Sequence, residues 1–214
     1  MKYKIALFDL DGTLVDSSLG VTNSVKYALE KMGEKIPENL LRFIGPPLTV
    51  SFREFCGFDE EKTDLAIKLY REYYSQKGIY ECVAYEGMTE LLKELKDLGI
   101  TTCLATSKPD IYATRVVEDK CFLPYLDFLS CASADEKTLS TKEQVIERAL
   151  SFVGENKSEI VMIGDRHFDI NGAKCFGLDS IGVTFGFGSE KELTEAGASY
   201  IAHNPQDIKR IIMQ

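Results

Sequence analysis

The chain has 214 residues, of which 44% are hydrophobic, 28% charged and 10% aromatic. This is the composition of an ordinary globular protein, and it excludes a disordered or low-complexity chain. The net charge of −9 argues against unaided binding to nucleic acid or to an anionic membrane, because both reward clustered lysine and arginine, but it leaves anionic small molecules open.

Short apolar runs that each end in polar residues recur along the chain. We predict a strand at Ile5–Phe8 and further strands at 102–105, 128–131, 160–163 and 180–183. Apolar runs of this length that alternate with helical patterns are typical of buried parallel strands. The sequence therefore predicts an α/β fold with a Rossmann-like parallel-sheet core sandwiched by helices.

Helix signals lie between the predicted strands. Apolar spacing and a terminal Gly99 predict a helix over 88–98, and a capping box at 140–143 predicts the start of another. Ser189 opens a similar box, and Asn204 followed by proline predicts the start of the last helix.

The segment 17–82 carries helix signals only. Three helices are predicted there, the last over about 60–77 behind an Asp59 cap. We therefore expect a small all-helical cap domain, 17–82, joined to an α/β hydrolase core formed by 1–16 and 83–214.

Carboxylates and a hydroxyl follow three of the predicted strands. Asp9 and Asp11 follow the first strand, Thr106 the second and Asp165 a later one. Because ligands of parallel α/β sheets bind beyond the carboxyl ends of the strands, we expect these side chains to meet at one edge. Asp9, Asp11 and Asp165 offer hard oxygen ligands with no nearby histidine or cysteine set, so Mg²⁺ is the predicted metal.

This set of groups suits phosphoryl transfer. A bound Mg²⁺ offsets the repulsion between carboxylates and an incoming phosphate and polarises the phosphoryl oxygens. A carboxylate such as Asp9 can attack phosphorus and form an acyl phosphate that water then hydrolyses. A second carboxylic acid, Asp11, can protonate the leaving oxygen and later activate that water, provided that Asp9 is ionised while Asp11 starts protonated.

Three motifs give the chain a resemblance to a known family. Residues 9–17 read DLDGTLVDS and resemble the first signature of the haloacid dehalogenase superfamily; residues 164–169 read GDRHFD and resemble its last, and residues 105–109 read ATSKP and resemble the second. The likeness spans nearly the whole chain. Within the superfamily it is closest to phosphoglycolate phosphatase-like and 5′-nucleotidase-like enzymes, to which the stretches 43–48 and 181–186 are similar.

The resemblance implies a role for each motif residue. Asp9 is implied as the nucleophile and a Mg²⁺ ligand, and Asp11 as the acid/base and a Mg²⁺ ligand through its backbone carbonyl. Thr106 is implied to hydrogen-bond the transferring phosphoryl group, and we expect Ser107 beside it to contact substrate. Asp165 is implied to complete the metal site.

A lysine is implied near Asp9, and Lys142 is the predicted one, with Lys137 as the alternative. Lys142 falls in the first turn of a capped helix, where the helix dipole disfavours a cation by roughly 0.3–1 kcal/mol, and a neighbouring carboxylate site would reverse that penalty. Asp169 is expected to support the metal site, Lys108 to contact substrate or solvent, and His167 to be a loop or surface residue.

The predicted function is that of a magnesium-dependent phosphatase that acts on a small phosphorylated metabolite, as phosphoglycolate phosphatase does, through an aspartyl-phosphate. One alternative is a 5′-nucleotidase, and another is a hexose-phosphate mutase, which would use the same two aspartates and return the phosphate to a sugar. Asp11 counts against haloacid dehalogenation, which has no use for an acid at that position. The presence of both Asp9 and Asp11 argues against a non-enzymatic binding module.

The remaining expectations concern the surroundings of the protein. We expect a cytoplasmic monomer or homodimer with no nucleic-acid or membrane partner. The first apolar run is too short for a signal peptide, and no run approaches the roughly 20 residues of a membrane span. The six cysteines show no metal-like grouping, and Cys103 and Cys131 lie in apolar runs, so buried free thiols are predicted.

Overall fold

The structure is a computed structural model that describes residues 2–134, 138–154 and 156–214. Its contacts divide the chain into two compact units. The core unit comprises Met1–Asp16 and Ala84–Gln214, and the helical unit comprises Ser17–Val83. The chain therefore leaves the core unit once and returns to it once.

The core unit is built on a parallel β-sheet. The strands of the chain are β1 (Ile5–Phe8), β2 (Val15–Asp16), β3 (Val83–Ala84), β4 (Thr101–Pro109), β5 (Phe128–Ala132), β6 (Ile160–Gly164), β7 (Asp179–Val183) and β8 (Tyr200–Ala202). Six of them form the sheet, in the order β5-β4-β1-β6-β7-β8, and every neighbouring pair is parallel. The segments that follow β4, β1 and β6 therefore emerge side by side.

Helices make up most of the remaining regular structure. They are α1 (Ser18–Met32), α2 (Leu48–Cys56) and α3 (Glu60–Tyr74) in the helical unit, and α4 (Met88–Asp97), α5 (Asp110–Asp119), α6 (Lys142–Val153), α7 (His167–Cys175), α8 (Glu190–Ala196) and α9 (Pro205–Met213) in the core unit. Thr141 caps α6 by accepting from the Gln144 N–H, while the Gln144 side chain accepts from the Thr141 N–H. Asn204 caps α9, with Pro205 as its first residue.

The sheet of the core unit is covered by apolar side chains. Leu7, Cys103 and Met162 come from the three central strands and are fully buried. They belong to one cluster with Val145 of α6, and removal of this surface from water is the main term that stabilises the unit. Cys103 and Cys131 are buried free thiols, as predicted, and burial raises the pKa of both.

The helical unit has an aromatic core of its own. Phe43, Phe52 and Phe58 are buried, and the ring centroid of Phe52 lies 5.2 Å from that of Phe43 and 6.2 Å from that of Phe58. Such ring contacts add to the free energy of apolar burial. Asp59 caps α3 as predicted, by accepting from the Lys62 N–H.

The structure confirms the predicted α/β class with its parallel sheet, and it differs from the predicted elements in detail. β4 runs through Pro109, with an irregular register between Thr106 and Pro109. The capping residue of α6 is Thr141 rather than Ser140, because Gln144 is placed to complete the box with Thr141. In the described part of the chain, no helix combines the length and the apolar character that crossing a bilayer requires.

Candidate active site

Three neighbouring strands of the core unit deliver polar side chains to one edge of the sheet. β1 is followed by Asp9 and Asp11, β4 contains Thr106, and β6 is followed by Asp165. Asp9, Thr106 and Asp165 are all buried. Because β4, β1 and β6 are adjacent and parallel, residues at their carboxyl ends lie at the same edge.

Lys142 links several elements at this edge. From the first position of α6, its Nζ lies 2.7 Å from Asp9 Oδ1 and 2.8 Å from Asp169 Oδ1. It also donates a hydrogen bond to the Ala105 carbonyl, 3.0 Å away. Burial by itself would lower the pKa of Lys142, but the charges of Asp169 and Asp9 outweigh it and raise that pKa. The alternative lysine, Lys137, lies outside the described residues.

The carboxyl group of Asp9 is subject to opposing influences. Burial raises the pKa of Asp9 to about 6; the Lys142 ammonium acts against this rise, and the Asp169 carboxylate reinforces it. A cation close to Asp9 favours its ionised form, which is the form that can attack as a nucleophile.

Asp9, Asp165 and Asp169 form a carboxylate cluster that fits a divalent cation. One oxygen of each lies within 4.8 Å of the others. Asp165 Oδ2 accepts from the Phe187 N–H at 2.7 Å, whereas Asp165 Oδ1 has no hydrogen-bond partner among the residues that the structure describes. Burial and the charges of Asp169 and Asp9 raise the pKa of Asp165 well above its usual value. The Lys142 ammonium contacts Asp9 and Asp169, and the three carboxylates together supply the oxygen ligands that an ion such as Mg²⁺ prefers.

This carboxylate cluster differs from the predicted ligand set in one side chain. The prediction joined Asp9, Asp11 and Asp165, whereas the third clustered carboxylate is that of Asp169. The Asp11 carboxylate pairs with Lys108 instead, with Nζ–O distances of 2.8 and 3.0 Å. From sequence, Lys108 is expected to contact substrate or solvent, whereas in the structure its partner is Asp11. A metal contact through the Asp11 backbone carbonyl stays a prediction.

The Thr106 hydroxyl is oriented by the chain that follows it. Its Oγ1 accepts a hydrogen bond from the Lys108 N–H at 3.2 Å, within the irregular part of β4. Because a hydroxyl can donate while it accepts, the Thr106 O–H keeps its ability to donate to a bound anion. Ser107 lies between them and is half-buried, and its contact with substrate stays a prediction.

Close backbone approaches explain two glycines of the motifs. Gly12 has a φ of +86°, and a Cβ at Gly12 would lie 2.2 Å from Asp165 Oδ2. A Cβ at Gly164 would lie 2.1 Å from Asp169 Cγ. Any side chain at these two positions would therefore displace a carboxylate of the cluster.

The segment that follows β7 contributes a backbone N–H group that the sequence motifs did not predict. The Phe187 N–H holds Asp165, and a Cβ at Gly186 would lie 2.6 Å from Asp165 Oδ2. A Cβ at Gly188 would lie 1.9 Å from the Asp165 carbonyl oxygen. The glycines on both sides of Phe187 were the available signal, since such residues mark a backbone that passes close to another group.

Arg166 and His167 follow Asp165 in sequence but bind Glu192 of α8. Glu192 Oε1 accepts from Arg166 Nε at 2.9 Å and from the His167 N–H at 3.0 Å, and it lies 2.7 Å from His167 Nδ1. Burial would raise the pKa of Glu192, but these contacts outweigh it and lower that pKa to about 2. His167 is partly exposed and ties the start of α7 to α8.

The chain is similar to known proteins over most of its length. Residues 6–183 match a family model described as haloacid dehalogenase-like hydrolase. A 5′-nucleotidase of Pseudomonas aeruginosa is 40% identical over 195 residues, which are 90% of this chain and 88% of that protein. The tyrosine-protein kinase PtkA of Mycobacterium tuberculosis is 31% identical over 202 residues, 94% of this chain and 68% of that protein. The crystal structure of a predicted phosphatase from Clostridium acetobutylicum has a TM-score of 0.93 and 44% identity, with 100% of both chains covered.

Proposed function

Because the chain belongs to the haloacid dehalogenase-like hydrolase family and is a phosphatase, we propose that it hydrolyses small phosphomonoesters with Mg²⁺ and with Asp9 as the nucleophile. The observation that carries the proposal is the surroundings of the Asp9 carboxylate. It is buried, 2.7 Å from Lys142 Nζ, and within 4.8 Å of oxygens of Asp165 and Asp169. A carboxylate held in this way has a fixed orientation. The cations that the surrounding carboxylates attract would in turn stabilise the negative charge of a bound phosphoryl group.

In the proposed first step, an Asp9 oxygen forms a bond to phosphorus, and the bond from phosphorus to the leaving oxygen breaks. The Thr106 O–H donates to a phosphoryl oxygen, and the Lys142 ammonium offsets negative charge beside it. Asp11 gives its proton to the leaving oxygen, so the alcohol departs neutral. The enzyme then carries an aspartyl-phosphate at Asp9 and an ionised Asp11.

In the proposed second step, water attacks phosphorus while Asp11 accepts a proton from that water. The bond between phosphorus and Asp9 breaks, and inorganic phosphate leaves. The Asp9 carboxylate and the Asp11 acid are thereby restored. A mutase would pass the phosphoryl group to a sugar hydroxyl at this point, so release of inorganic phosphate separates the two functions.

We propose that Asp9, Asp165 and the backbone carbonyl of Asp11 hold the Mg²⁺. When bound, the ion neutralises charge on the phosphoryl oxygens and so permits attack by an anionic nucleophile. Asp169 acts on the neighbouring groups: its Oδ1 pairs with Lys142, and its Oδ2 accepts from the Arg166 N–H at 3.0 Å. These contacts orient Lys142 and the turn that carries Asp165.

Nucleoside 5′-monophosphates are the substrates that we propose, since the relative named a 5′-nucleotidase shares 40% identity over 90% of the chain. Glycolate phosphate is the comparison compound, because the motifs also resemble those of phosphoglycolate phosphatase-like enzymes. We further propose that residues 17–82 form a cap that selects among substrates, because every residue assigned a chemical step lies in the core unit.

The proposal is tested by measuring phosphate release from nucleoside 5′-monophosphates, glycolate phosphate and hexose phosphates, with Mg²⁺ and with a chelator. We expect release that needs Mg²⁺, with the highest kcat/KM for nucleotides. Asp9→Asn should abolish release without lowering the unfolding temperature, because it removes the nucleophile at nearly constant volume. Asp97→Asn, on the exposed side of α4, is the matched control. Phosphate release by Asp9→Asn at the wild-type rate would exclude Asp9 as the nucleophile.

A further inference from the structure

Lys108 and Asp11 form an ion pair that the proposed steps do not use. Lys108 Nζ lies 2.8 Å from Asp11 Oδ2 and 3.0 Å from Asp11 Oδ1, so the ammonium contacts both carboxylate oxygens. The Lys108 side chain is 7% exposed and that of Asp11 is 17% exposed. Because water screens this pair little, it holds its two side chains more firmly than a surface ion pair would.

Lys108 also contacts Thr106 through its main chain. The Lys108 N–H donates to Thr106 Oγ1 at 3.2 Å, where the register of β4 is irregular. An irregularity of this kind redirects the side chains of a strand. A single residue thus orients two of the groups proposed to act on the same phosphoryl group, the Thr106 hydroxyl and the Asp11 carboxylate.

The two buried lysines of the site contact different aspartates. Lys142 contacts Asp9 and Asp169, whereas Lys108 contacts Asp11. The proposed nucleophile and the proposed acid/base therefore have separate cationic partners. A change at Lys108 acts on Asp11 and leaves the partner of Asp9 in place.

We propose that Lys108 is a positioning residue that holds the Asp11 carboxylate in the orientation needed to take a proton from water during hydrolysis of the aspartyl-phosphate. Each carboxylate oxygen has two lone pairs, and Lys108 engages one on each oxygen, which restricts rotation of the Asp11 carboxylate and leaves acceptor capacity for water. The inference rests on the proposed function, because it needs Asp11 to act as the base. Misplacing a catalytic group by about 1 Å costs on the order of 10²-fold in rate.

Lys108→Met tests this role, because methionine fills similar space without the charge and the donors. The substrate is p-nitrophenyl phosphate, whose leaving group needs little help from an acid. We expect the burst of nitrophenol from the first turnover to persist and kcat to fall about 10- to 100-fold, with phosphorylated Asp9 accumulating. KM should fall together with kcat, so that kcat/KM changes little. A merely structural role would lower the burst and the steady-state rate together.

Further variants make the test specific to Asp11. Lys108→Arg should restore most of kcat, because a guanidinium also pairs with both oxygens of a carboxylate. In an Asp11→Asn background, Lys108→Met should lower kcat by less than about 2-fold, because residues that act through one another are not additive. Lys96→Met, which breaks the exposed pair with Asp127, is the matched control and should leave both phases unchanged.

Two results would overturn the inference. One is a Lys108→Met enzyme with the wild-type burst and wild-type kcat, and the other is an equal loss of kcat from Lys108→Met with and without Asp11. If circular dichroism shows that Lys108→Met does not fold, Lys108→Gln is measured in its place and judged by the same outcomes. Either of these two results would leave the proposed function standing. Phosphate release by Asp9→Asn at the wild-type rate would overturn the proposed function itself, so the two failures can be told apart.

Discussion

Asp9 and Asp11 are separated by one residue, yet each carboxylate has a lysine of its own. Lys142 contacts Asp9, and Lys108 contacts Asp11. Around Asp9 there are further carboxylates and strong burial, which raise its pKa to about 6 against the influence of Lys142. Each of the two carboxylates proposed to act in successive steps is therefore held by a separate cationic partner.

At the same scale, Gly12 is the residue whose replacement should be most informative about the carboxylate cluster. Replacing Gly12 by alanine has two costs. The backbone φ of +86° is strained for a residue with a side chain, and the new Cβ would lie 2.2 Å from Asp165 Oδ2. Gly33 also has a positive φ, +67°, but a Cβ there meets nothing within 4 Å. Gly33→Ala should therefore cost only the backbone strain, about 1 kcal/mol of unfolding free energy.

Gly12→Ala should lose more unfolding free energy than Gly33→Ala and should also lose phosphatase activity by at least about 10-fold, because it displaces a proposed metal ligand. Denaturant unfolding and phosphate release measure the two effects. Equal stability and full activity in the two variants would show that the close approach of Gly12 to Asp165 is not needed.

At the scale of elements, the central strands were predictable and some of their neighbours were not. Ile5–Phe8 and Ile160–Gly164 are apolar nearly throughout, as strands covered on both faces are. Tyr200–Ala202 is short and half-buried, so β8 left no comparable run. α7 contains Gly172, and a glycine weakens the helical pattern of a sequence. The structure explains this glycine, because a Cβ at Gly172 would lie 2.9 Å from side-chain atoms of Ile146 and Lys142.

The same contrast applies to the candidate site. Lys142 could be selected from sequence because a cation at the start of a capped helix needs a local reason. The pair of Lys108 with Asp11 joins residues 97 positions apart, and it depends on the pairing of β4 with β1 and on the irregular end of β4. Neither is visible as a local pattern, so the sequence could suggest a contact for Lys108 but could not name its partner.

The contact between α7 and α8 gives a prediction about acid stability. The pKa of Glu192 is lowered from 4.5 to about 2 in the folded protein. A carboxyl group whose pKa is lowered by folding stabilises the protein above its unfolded pKa, and this contribution is lost as the pH falls toward the folded value. Glu192→Gln should therefore unfold at a lower temperature than wild type near neutral pH, and the difference should shrink between pH of about 4.5 and about 2. A difference that does not change with pH would contradict the assignment.

At the scale of the whole molecule, a strongly acidic chain is proposed to bind anionic substrates. The net charge is −9, whereas Lys108 and Lys142 place two buried ammonium groups at the edge of the sheet. Local charges in a poorly hydrated site act more strongly than distant charges screened by water and salt. The proposed divalent ion would add to this local positive charge, so the overall charge does not decide which ligands bind.

Binding of Mg²⁺ should also be visible as stabilisation of the whole molecule. An ion that binds the folded state and not the unfolded chain raises the unfolding temperature as its concentration rises. We expect this rise in chelator-treated wild-type protein and in Asp97→Asn, and a much smaller rise in Asp165→Asn, which loses a buried ligand oxygen. An equal rise in all three proteins would place the stabilising ion outside the carboxylate cluster.

The central claim is that the phosphoryl group is carried by Asp9, and locating that group on the enzyme tests it most directly. Asp11→Asn protein, in which the intermediate should accumulate, is mixed with p-nitrophenyl phosphate, whose leaving group needs little help from an acid, and is then quenched in acid and reduced with borohydride. Peptide mass spectrometry then identifies the aspartate that was phosphorylated. We expect modification at Asp9, and none when Asp9→Asn is added. Modification at another residue, or phosphate release by the wild type with no phosphorylated enzyme at any time, would contradict it.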